Sequence, residues 1–278
     1  MPELPEIQAH AERLSIEFGG RVLSRFEPLT FTVLRTYAPD PAGAVGVGLD
    51  EVARRGKLLL LRFGALTFVV HPMQGGRLRP DPKQSAKPRN GIARWRFDDG
   101  SALLLTEPGT ERKAGVWAVE GDPLTQPPLA DLGPEADTIA RDDLSGLLAG
   151  ASMRVHGFLR DQHQMAGIGR RLANEICHRA HLSPFANTTK LSEAQVDQLH
   201  QAMGEVIAES LEFERAQPEM VSAADRPGAV HGRAGEPCPV CGDTVRAVEY
   251  RAYTVAYCPA CQTDGKILAD NTTSKFLK

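Results

Sequence analysis

The sequence predicts an α+β protein of several domains, with an N-terminal β-sandwich, a helical domain and a C-terminal four-cysteine segment. Three observations predict this architecture: short apolar runs before residue 119, a helical apolar period after residue 140, and two C-x-x-C pairs near the C-terminus. At 278 residues, and at about 150 residues per domain, the chain has room for about two domains with cores of their own.

Residues 2 to 18 are predicted to form a helix, because apolar residues recur at helical spacing from Ile7 to Leu14 and Pro5 is tolerated in a first turn. Short apolar or alternating runs follow, separated by turn signals such as Gly64. The predicted strands cover residues 58 to 63, 66 to 71, 92 to 97 and 102 to 105. We therefore expect an antiparallel sandwich or barrel after the first helix.

Beyond residue 120 the pattern changes. Four prolines and scattered acidic residues mark a linker over residues 121 to 139. Residues 142 to 148 predict a short helix, and residues 191 to 213 predict a long helix with one apolar face. Ser192 and Gln195 have the spacing of a capping box at the start of the long helix. The second domain is therefore predicted to be helical.

Composition is that of an ordinary soluble protein, because 42% of the residues are hydrophobic and 24% are charged. No apolar run approaches the roughly 18 residues that a membrane-spanning helix needs. The N-terminus carries three glutamates before any apolar stretch, whereas a signal peptide needs a basic start and an apolar centre. We therefore expect a cytoplasmic protein.

The net charge of −3 gives no argument for a nucleic-acid partner, but the basic residues are unevenly distributed. Between Val52 and Asn90 there are nine lysines and arginines, against Asp81 as the one acidic residue. Such a run is commonly a solvated face. Its clustering in an acidic protein also favours a polyanionic partner.

The cysteines predict a metal site. Cys238 and Cys241 form one C-x-x-C pair, Cys258 and Cys261 form another, and sixteen residues separate the pairs. This spacing is typical of a four-thiolate zinc site. Two disulfides are the alternative, and they would need an oxidising compartment. A closed shell of four sulfurs leaves no position for water or substrate, so a single Zn²⁺ ion here is predicted to be structural.

The first six residues carry a second chemical signal. Removal of Met1 would leave a secondary amine at Pro2, and an α-amino group with a pKa of roughly 7.7 to 8 is partly neutral at physiological pH. Such an amine can attack a sugar aldehyde carbon and form an iminium ion, with Glu3 and Glu6 as candidate proton donors. The alternative is that Pro2 and Pro5 only start a helix, whose N-terminal dipole the glutamates favour.

Four motifs occur in order along the chain. They are Pro2-Glu3-Leu4-Pro5-Glu6, Val52-Ala53-Arg54-Arg55-Gly56-Lys57, Asp161-Gln162 through Gly167-Ile168-Gly169 and Ala173-Asn174-Glu175, and the two C-x-x-C pairs. Over essentially the whole chain this order resembles the formamidopyrimidine-DNA glycosylase and endonuclease VIII family, the helix-two-turn-helix enzymes of base-excision repair. The resemblance implies an N-terminal β-sandwich with a catalytic N-terminal helix, a helix-two-turn-helix DNA-binding domain and a zinc finger. We place these three domains at residues 1–130, 131–225 and 226–278.

The resemblance also implies roles for single residues. Pro2, as the mature N-terminus, would attack the anomeric carbon of a damaged nucleotide, displace the base and form a Schiff base, from which elimination cuts the strand. Glu3 would act as acid and base, and Glu6 would support the N-terminal turn. Lys57 would contact a phosphate near the lesion. The nucleotide must first be flipped out of the stack.

Two loops depart from the family pattern. His71 opens the segment that corresponds to the void-filling loop, where the family's methionine position holds Gln74 and Met73 stands one residue earlier. Either side chain can be the one that enters the space left by the flipped base, and packing of Met73 in the sandwich is the alternative. In the strand-separating loop Ala114 replaces the family's phenylalanine, and Arg112 is the basic candidate for the opposite base.

The second half of the chain departs at two further positions. Arg170 stands where the family has a phosphate-binding asparagine, and its charge and longer reach keep it a candidate phosphate ligand. Tyr253 stands where the zinc finger of relatives carries an arginine, and Arg251 is a nearby basic candidate for DNA contact. Cys177 and His178 are interpreted as structural.

The sequence therefore predicts a bifunctional DNA glycosylase and AP lyase that excises oxidised bases from damaged double-stranded DNA. We expect a nucleoid-associated, cytoplasmic monomer with one structural zinc ion. The alternative is a family-derived protein that binds damaged or abasic DNA with weak or no base excision. The presence of Pro2, Glu3 and Lys57 together favours the enzyme. A third alternative, a zinc-ribbon module joined to an unrelated enzyme, would require an N-terminal domain without a sandwich.

Overall fold

Residues 1–109, 112–220, 225–250 and 253–268 are described by the structure, a computed structural model. The chain separates into two units, Met1–Leu132 and Gly133–Lys278. The three domain boundaries predicted from the sequence stay a prediction.

The first unit is a sandwich of two four-stranded antiparallel sheets with one helix, α1 (Leu4–Phe18). Its strands are β1 (Leu23–Pro28), β2 (Glu51–Arg55), β3 (Leu58–Phe63), β4 (Leu66–His71), β5 (Arg77–Pro80), β6 (Gly91–Phe97), β7 (Ala102–Thr106) and β8 (Gly115–Glu120). One sheet has the order β2-β3-β4-β8 and the other has the order β1-β6-β7-β5. The predicted sandwich and the predicted first helix are confirmed.

Aromatic side chains from both sheets fill the core of the sandwich. Phe68 on β4 meets Trp95 on β6 edge to face, at 5.7 Å between ring centroids, and Phe26 on β1 lies 5.0 Å from Phe68. Strands β3 and β4 are buried over almost their whole length, and Leu129 packs in one core cluster with residues of their sheet. The predicted linker therefore contributes Leu129 to the core of the first unit.

The second unit is helical and ends in a two-stranded hairpin. Its elements are α2 (Arg141–Gly150), α3 (Val155–Arg160), α4 (Arg170–Arg179), α5 (Glu193–Arg215), β9 (Arg246–Tyr250), β10 (Tyr253–Tyr257) and α6 (Pro259–Gln262). Helix α4 is at the centre and packs against α3, α5 and β10. The predicted capping box is present, since Ser192 and Gln195 exchange side-chain to backbone hydrogen bonds at the start of α5. Among the described residues, no helix combines the length and the apolar character needed to cross a membrane.

Candidate functional site

The N-terminal turn links Glu3 and Glu6 directly after Pro2. Helix α1 begins at Leu4, so Pro2 and Glu3 precede it, and both are buried although Met1 is 48% exposed. The backbone N–H of Glu3 donates to the Glu6 carboxylate at 3.0 Å, which closes a capping box at the start of the helix. Glu6 is 1% exposed, so this bond provides a partner that a buried carboxylate needs. The Glu6 carboxylate is therefore positioned to stabilise the N-terminal turn.

Two hydrogen bonds fix the position of α1 against strand β2. The Arg54 guanidinium donates to the Gln8 side chain at 2.9 Å, and the Val52 backbone N–H donates to the Ser15 hydroxyl at 3.2 Å. Strand β2 then turns into β3 through a two-residue loop whose first residue, Gly56, has a φ of 56°. The second residue of the loop is Lys57, which is only 7% exposed.

His71, at the end of β4, lies close enough to Lys57 to interact with its charge. Burial, together with the Lys57 ammonium, lowers the pKa of His71 to about 4. The imidazole is therefore neutral at physiological pH. The Met73 backbone N–H donates to His71 Nδ1 at 2.9 Å, so the ring proton is on Nε2, which remains a donor. Lys57 and His71 thus supply a charged and a neutral hydrogen-bond donor.

The loop after His71 is a tight turn. The Gly76 backbone N–H donates to the Pro72 carbonyl at 2.8 Å, and a Cβ atom on Gly76 would lie only 2.2 Å from that oxygen. Within the turn Met73 adopts a φ of 53° and is half-buried, whereas Gln74 is exposed. The turn therefore presents Gln74 to solvent and holds Met73 through its backbone bond to His71.

The segment that corresponds to the family's strand-separating loop lies only partly within the described residues, since residues 110 and 111 fall outside them. Arg112 is exposed. Ala114 is 3% exposed, and its backbone N–H donates to the buried Glu107 carboxylate at 2.8 Å. Ala114 is therefore part of the core at the start of β8, and it offers no exposed apolar wedge.

The turn between α3 and α4 is organised by Gln162. Its Nε2 donates to the carbonyls of Arg160 and Ile168, at 2.8 and 2.9 Å, and its Oε1 accepts from the Gly167 backbone N–H at 3.1 Å. Gly167 has a φ of 100°, a conformation that favours glycine. The residue that follows this turn is Arg170, which is exposed and is the first residue of α4. A pocket beside Arg170 is also lined by His231.

Glu175 and its neighbour Asn174 fasten the segment that precedes the cysteines to α4. The Glu175 carboxylate accepts three backbone N–H groups, from Ala229 at 2.7 Å, Val230 at 3.1 Å and His231 at 2.8 Å. The Asn174 amide lies 2.8 Å from His231 Nδ1. The sequence motif that contains Asn174 and Glu175 therefore has a positioning role in this chain.

The cysteine cluster brings the two C-x-x-C pairs together. Cys241 Sγ lies 3.4 Å from Cys258 Sγ, and Cys238 Sγ lies 3.9 Å from Cys261 Sγ. A zinc ion at about 2.3 Å from each sulfur of a tetrahedron would place the sulfurs about 3.8 Å apart, so the cluster fits such an ion. In the thiol form, burial raises the pKa of Cys258 to about 11, whereas the Asp243 backbone N–H lowers the pKa of Cys241.

His178 is a further donor at this cluster. Its Nε2 lies 3.4 Å from Cys238 Sγ, and His178, Cys238, Cys258 and Cys261 place their donor atoms within 4.8 Å of one another. The group can therefore hold a metal ion. This position adds a contact at the cysteine cluster to the structural role that is predicted from the sequence for His178. Because 60 residues separate it from Cys238, no local spacing in the sequence could have identified it.

Three other positions considered in the sequence have different outcomes. Arg251 lies outside the described residues. Tyr253 is half-buried at the start of β10, and the Arg160 guanidinium lies over its ring. Cys177 is buried in α4, and burial raises the pKa of its thiol to about 12, so it is an inert core residue.

Fold and site together define a helix-two-turn-helix protein with an N-terminal β-sandwich and a cysteine-rich finger. The sequence model of the formamidopyrimidine-DNA glycosylase N-terminal domain matches residues 1–117, and that of the formamidopyrimidine-DNA glycosylase H2TH domain matches residues 132–221. The formamidopyrimidine-DNA glycosylase of Symbiobacterium thermophilum is 32% identical, over 94% of this chain and 89% of its own. That of Alkalilimnicola ehrlichii is 33% identical, over 94% of this chain and all of its own. The chain belongs to the formamidopyrimidine-DNA glycosylase family.

Solved structures show the same fold. The MutM (Fpg) protein from Thermus thermophilus is 29% identical and superimposes with a TM-score of 0.80, over 94% of this chain and 98% of its own. Lactococcus lactis Fpg (MutM), in a complex with DNA that contains N7-benzyl-Fapy-dG, gives a TM-score of 0.84 at 19% identity. It covers 94% of this chain and all of its own. The predicted family and fold class are confirmed.

Proposed function

We propose that the protein is a DNA glycosylase with AP lyase activity, which removes oxidised bases from damaged duplex DNA through a Schiff base at Pro2. The observation that carries the proposal is the buried N-terminal turn, in which Pro2 adjoins Glu3 and the Glu6 carboxylate holds the Glu3 backbone. Structures of Lactococcus lactis Fpg with Fapy-dG DNA and with abasic-site DNA support the choice of partner.

The reaction begins once Met1 has been removed, because the lone pair of an amide nitrogen at Pro2 is delocalised into the carbonyl group and is not nucleophilic. The Pro2 nitrogen attacks C1′ of the flipped nucleotide, so the N–C1′ bond forms while the bond from C1′ to the base breaks and its electron pair leaves with the base. The proton that the Pro2 amine gives up neutralises the departing base. Glu3 donates a proton to the ring oxygen, and the sugar opens to an iminium ion. The positive nitrogen acidifies the C2′ protons, so loss of one of them expels the 3′ phosphate. Hydrolysis of the remaining iminium ion by water returns the Pro2 amine and releases the sugar as an aldehyde.

Lys57 and His71 are proposed to bind a phosphate near the lesion. The Lys57 ammonium supplies charge, and the neutral His71 ring supplies its Nε2–H. Gln74 and Met73 are the candidates to occupy the space that the nucleotide leaves, and Gln74 is the exposed member of the pair. Arg112 is proposed to contact the opposite base, and Arg170 a phosphate.

The metal is proposed to be one structural Zn²⁺ ion, held by Cys238, Cys241, Cys258 and Cys261. When bound, it would tie β9, β10 and α6 into one finger, because the four sulfurs come from the two ends of the hairpin. His178, whose Nε2 lies 3.4 Å from Cys238 Sγ, is placed to donate a hydrogen bond to that thiolate.

The test is borohydride trapping of the natively processed protein on duplexes with an abasic site, 8-oxoguanine or an oxidised pyrimidine. We expect a covalent band with wild type and none with Pro2→Gly, while Pro2→Gly still binds the duplex. The lesions that give the band define the substrate class. Mass spectrometry of the N-terminus is the control for removal of Met1. Binding without any band, from a protein with a confirmed Pro2 terminus, would instead establish the damage-binding function that the replaced positions Arg170 and Tyr253 favour.

A further inference from the structure

A stack of aromatic rings lies beside α3 in the second unit. The rings of Tyr250 and Tyr253, at the tip of the β9–β10 hairpin, are 4.7 Å apart and within 11° of parallel. Phe185 continues the stack beyond Tyr250, at 6.5 Å between centroids. His156 continues it beyond Tyr253, at 6.4 Å and 11°. The hairpin tip is therefore joined to the helical domain through ring stacking.

Two arginines from the ends of α3 lie against this stack. The Arg160 guanidinium carbon is 4.1 Å from the centroid of the Tyr253 ring. The Arg154 guanidinium carbon is 5.0 Å from the centroid of Phe185, and Arg154 Nη1 donates to the Tyr250 hydroxyl at 2.6 Å. Such contacts occupy the face of a guanidinium and leave N–H groups at its edge for an acceptor. The rings thus orient both guanidinium groups and leave their positive charges uncompensated.

Other arginines of this unit are paired with carboxylates. Arg141 is bonded to Glu193 and Asp197, and Arg179 is bonded to Glu205 and Glu209. Within the described ranges, neither Arg154 nor Arg160 has a carboxylate at ion-pair distance. Two fixed, uncompensated guanidinium groups in one place are the chemistry that binds anionic oxygens.

We propose that Arg154 and Arg160 bind backbone phosphates of the DNA, and that Tyr253, Tyr250 and Phe185 are positioning residues that hold the two guanidinium groups in place. The inference rests on the proposed function and deepens it, because it assigns phosphate contacts beyond the candidates Arg170 and Arg251. Arg160 follows Arg154 by six positions, which in a helix is about 9 Å of rise between their Cα atoms and corresponds to roughly two to three nucleotides of rise along one strand. Each arginine is therefore assigned its own phosphate.

The experiment measures the salt dependence of binding to a duplex that contains the uncleavable tetrahydrofuran analogue of an abasic site. Fluorescence anisotropy gives the Kd between about 50 and 200 mM salt. Arg154→Gln and Arg160→Gln are compared with Arg179→Gln, the matched control, which removes the same charge from a carboxylate-paired arginine of the same unit. Circular dichroism and zinc content establish that each variant is folded.

The slope of log K against log salt is negative, and each lost phosphate contact makes its magnitude smaller by about 0.9. We therefore expect that decrease for Arg154→Gln and for Arg160→Gln, about twice that decrease for the double variant, and none for Arg179→Gln. Tyr253→Leu should weaken binding and Tyr253→Phe should not, because only the first removes the ring beneath Arg160. Each expected change would appear on undamaged duplex as well, since a phosphate contact carries no base information.

We call the proposed pair of phosphate contacts from Arg154 and Arg160 the clamp. Slopes equal to wild type in both arginine variants would overturn the clamp, and so would an equal loss in the Arg179→Gln control. If those slopes are unchanged while wild type still gives a Pro2-dependent covalent band, the clamp is wrong and the glycosylase function stands. If wild type binds no duplex at all, the proposed function and the clamp both fall.

Discussion

The three hydrogen bonds accepted by Glu175 allow a quantitative prediction for Glu175→Gln. One carboxylate oxygen accepts from Ala229, and the other accepts from Val230 and His231. An amide has one oxygen and one NH₂ group, so in either orientation at least one backbone N–H would face another donor. A Cβ atom on Gly228 would lie 2.8 Å from Glu175 Oε1, so the segment passes too close for the amide to move aside freely.

The loss in free energy of unfolding follows from the one backbone N–H that the variant leaves unpaired. Leaving one buried donor unpaired costs about 1 to 3 kcal/mol, and loss of the charge weakens the bonds that remain. Because Glu175 and Ala229 are half-buried, we take a value of about 2 kcal/mol. In a unit of this size that corresponds to a fall in Tm of about 4 to 8 °C. The amide protons of residues 229 to 231 should exchange about 30-fold faster.

Differential scanning calorimetry and hydrogen exchange measure these two quantities. Glu209→Gln is the matched control, since Glu209 makes an exposed ion pair with Arg179 that is worth about 0 to 1 kcal/mol. If Glu175→Gln lowers Tm no more than Glu209→Gln does, and leaves exchange at residues 229 to 231 unchanged, the anchoring role of the carboxylate is refuted.

Three other predictions test different parts of the chain. Gly76→Ala should lower Tm by several degrees, because the new Cβ would lie 2.2 Å from a backbone oxygen. Gly75→Ala is the control, since the nearest atom to its Cβ would be 3.4 Å away. Equal Tm values for the two variants would contradict the prediction. His10 has its pKa lowered to about 4 by burial, so the unfolded chain takes up this proton first and the free energy of unfolding falls as the pH drops from about 6.5 to about 4. In urea unfolding, the stability difference between wild type and His10→Gln should therefore shrink from neutral to acidic pH, and parallel profiles would exclude this contribution. His178→Gln should weaken metal affinity by about 10- to 100-fold in a chelator competition, because it removes the partner of Cys238 Sγ; unchanged affinity would show that the contact has no role.

The strands that the sequence predicted are the central ones, and those it missed are the edges. Strands β3, β4, β6 and β7 occupy the middle of the two sheets, and β1, β2, β5 and β8 are their borders. Central strands are buried on both faces and form apolar runs. The edge strands β1, β2 and β5 carry charged residues, and β1 and β5 also a proline, which limits pairing with other chains, so Arg77–Pro80 resembles a loop in the sequence. The edge strand β8 is mostly buried instead.

The contacts of the candidate site also divide into local ones, which the sequence could predict, and long-range ones, which it could not. Contacts within a few residues, such as the capping box of Glu3 and Glu6 or each C-x-x-C turn, follow from local spacing and could be predicted. The contact of His178 with Cys238 spans 60 residues, and that of Arg154 with Tyr250 spans 96. Such pairs depend on how α4 and the hairpin pack, and a single sequence contains no signal for that packing.

The exposed Met1 in front of a buried Pro2 has a consequence for how preparations of this protein are judged. Extra residues at the N-terminus would extend from an exposed position, and the helix that starts at Leu4 would form without their removal. A preparation with incomplete methionine removal, or with an N-terminal tag, would therefore be folded while lacking the Pro2 amine that the proposed reaction needs. Under that proposal, specific activity should scale with the fraction of processed termini, so titration of active sites, and not of folded protein, is the correct basis for any rate.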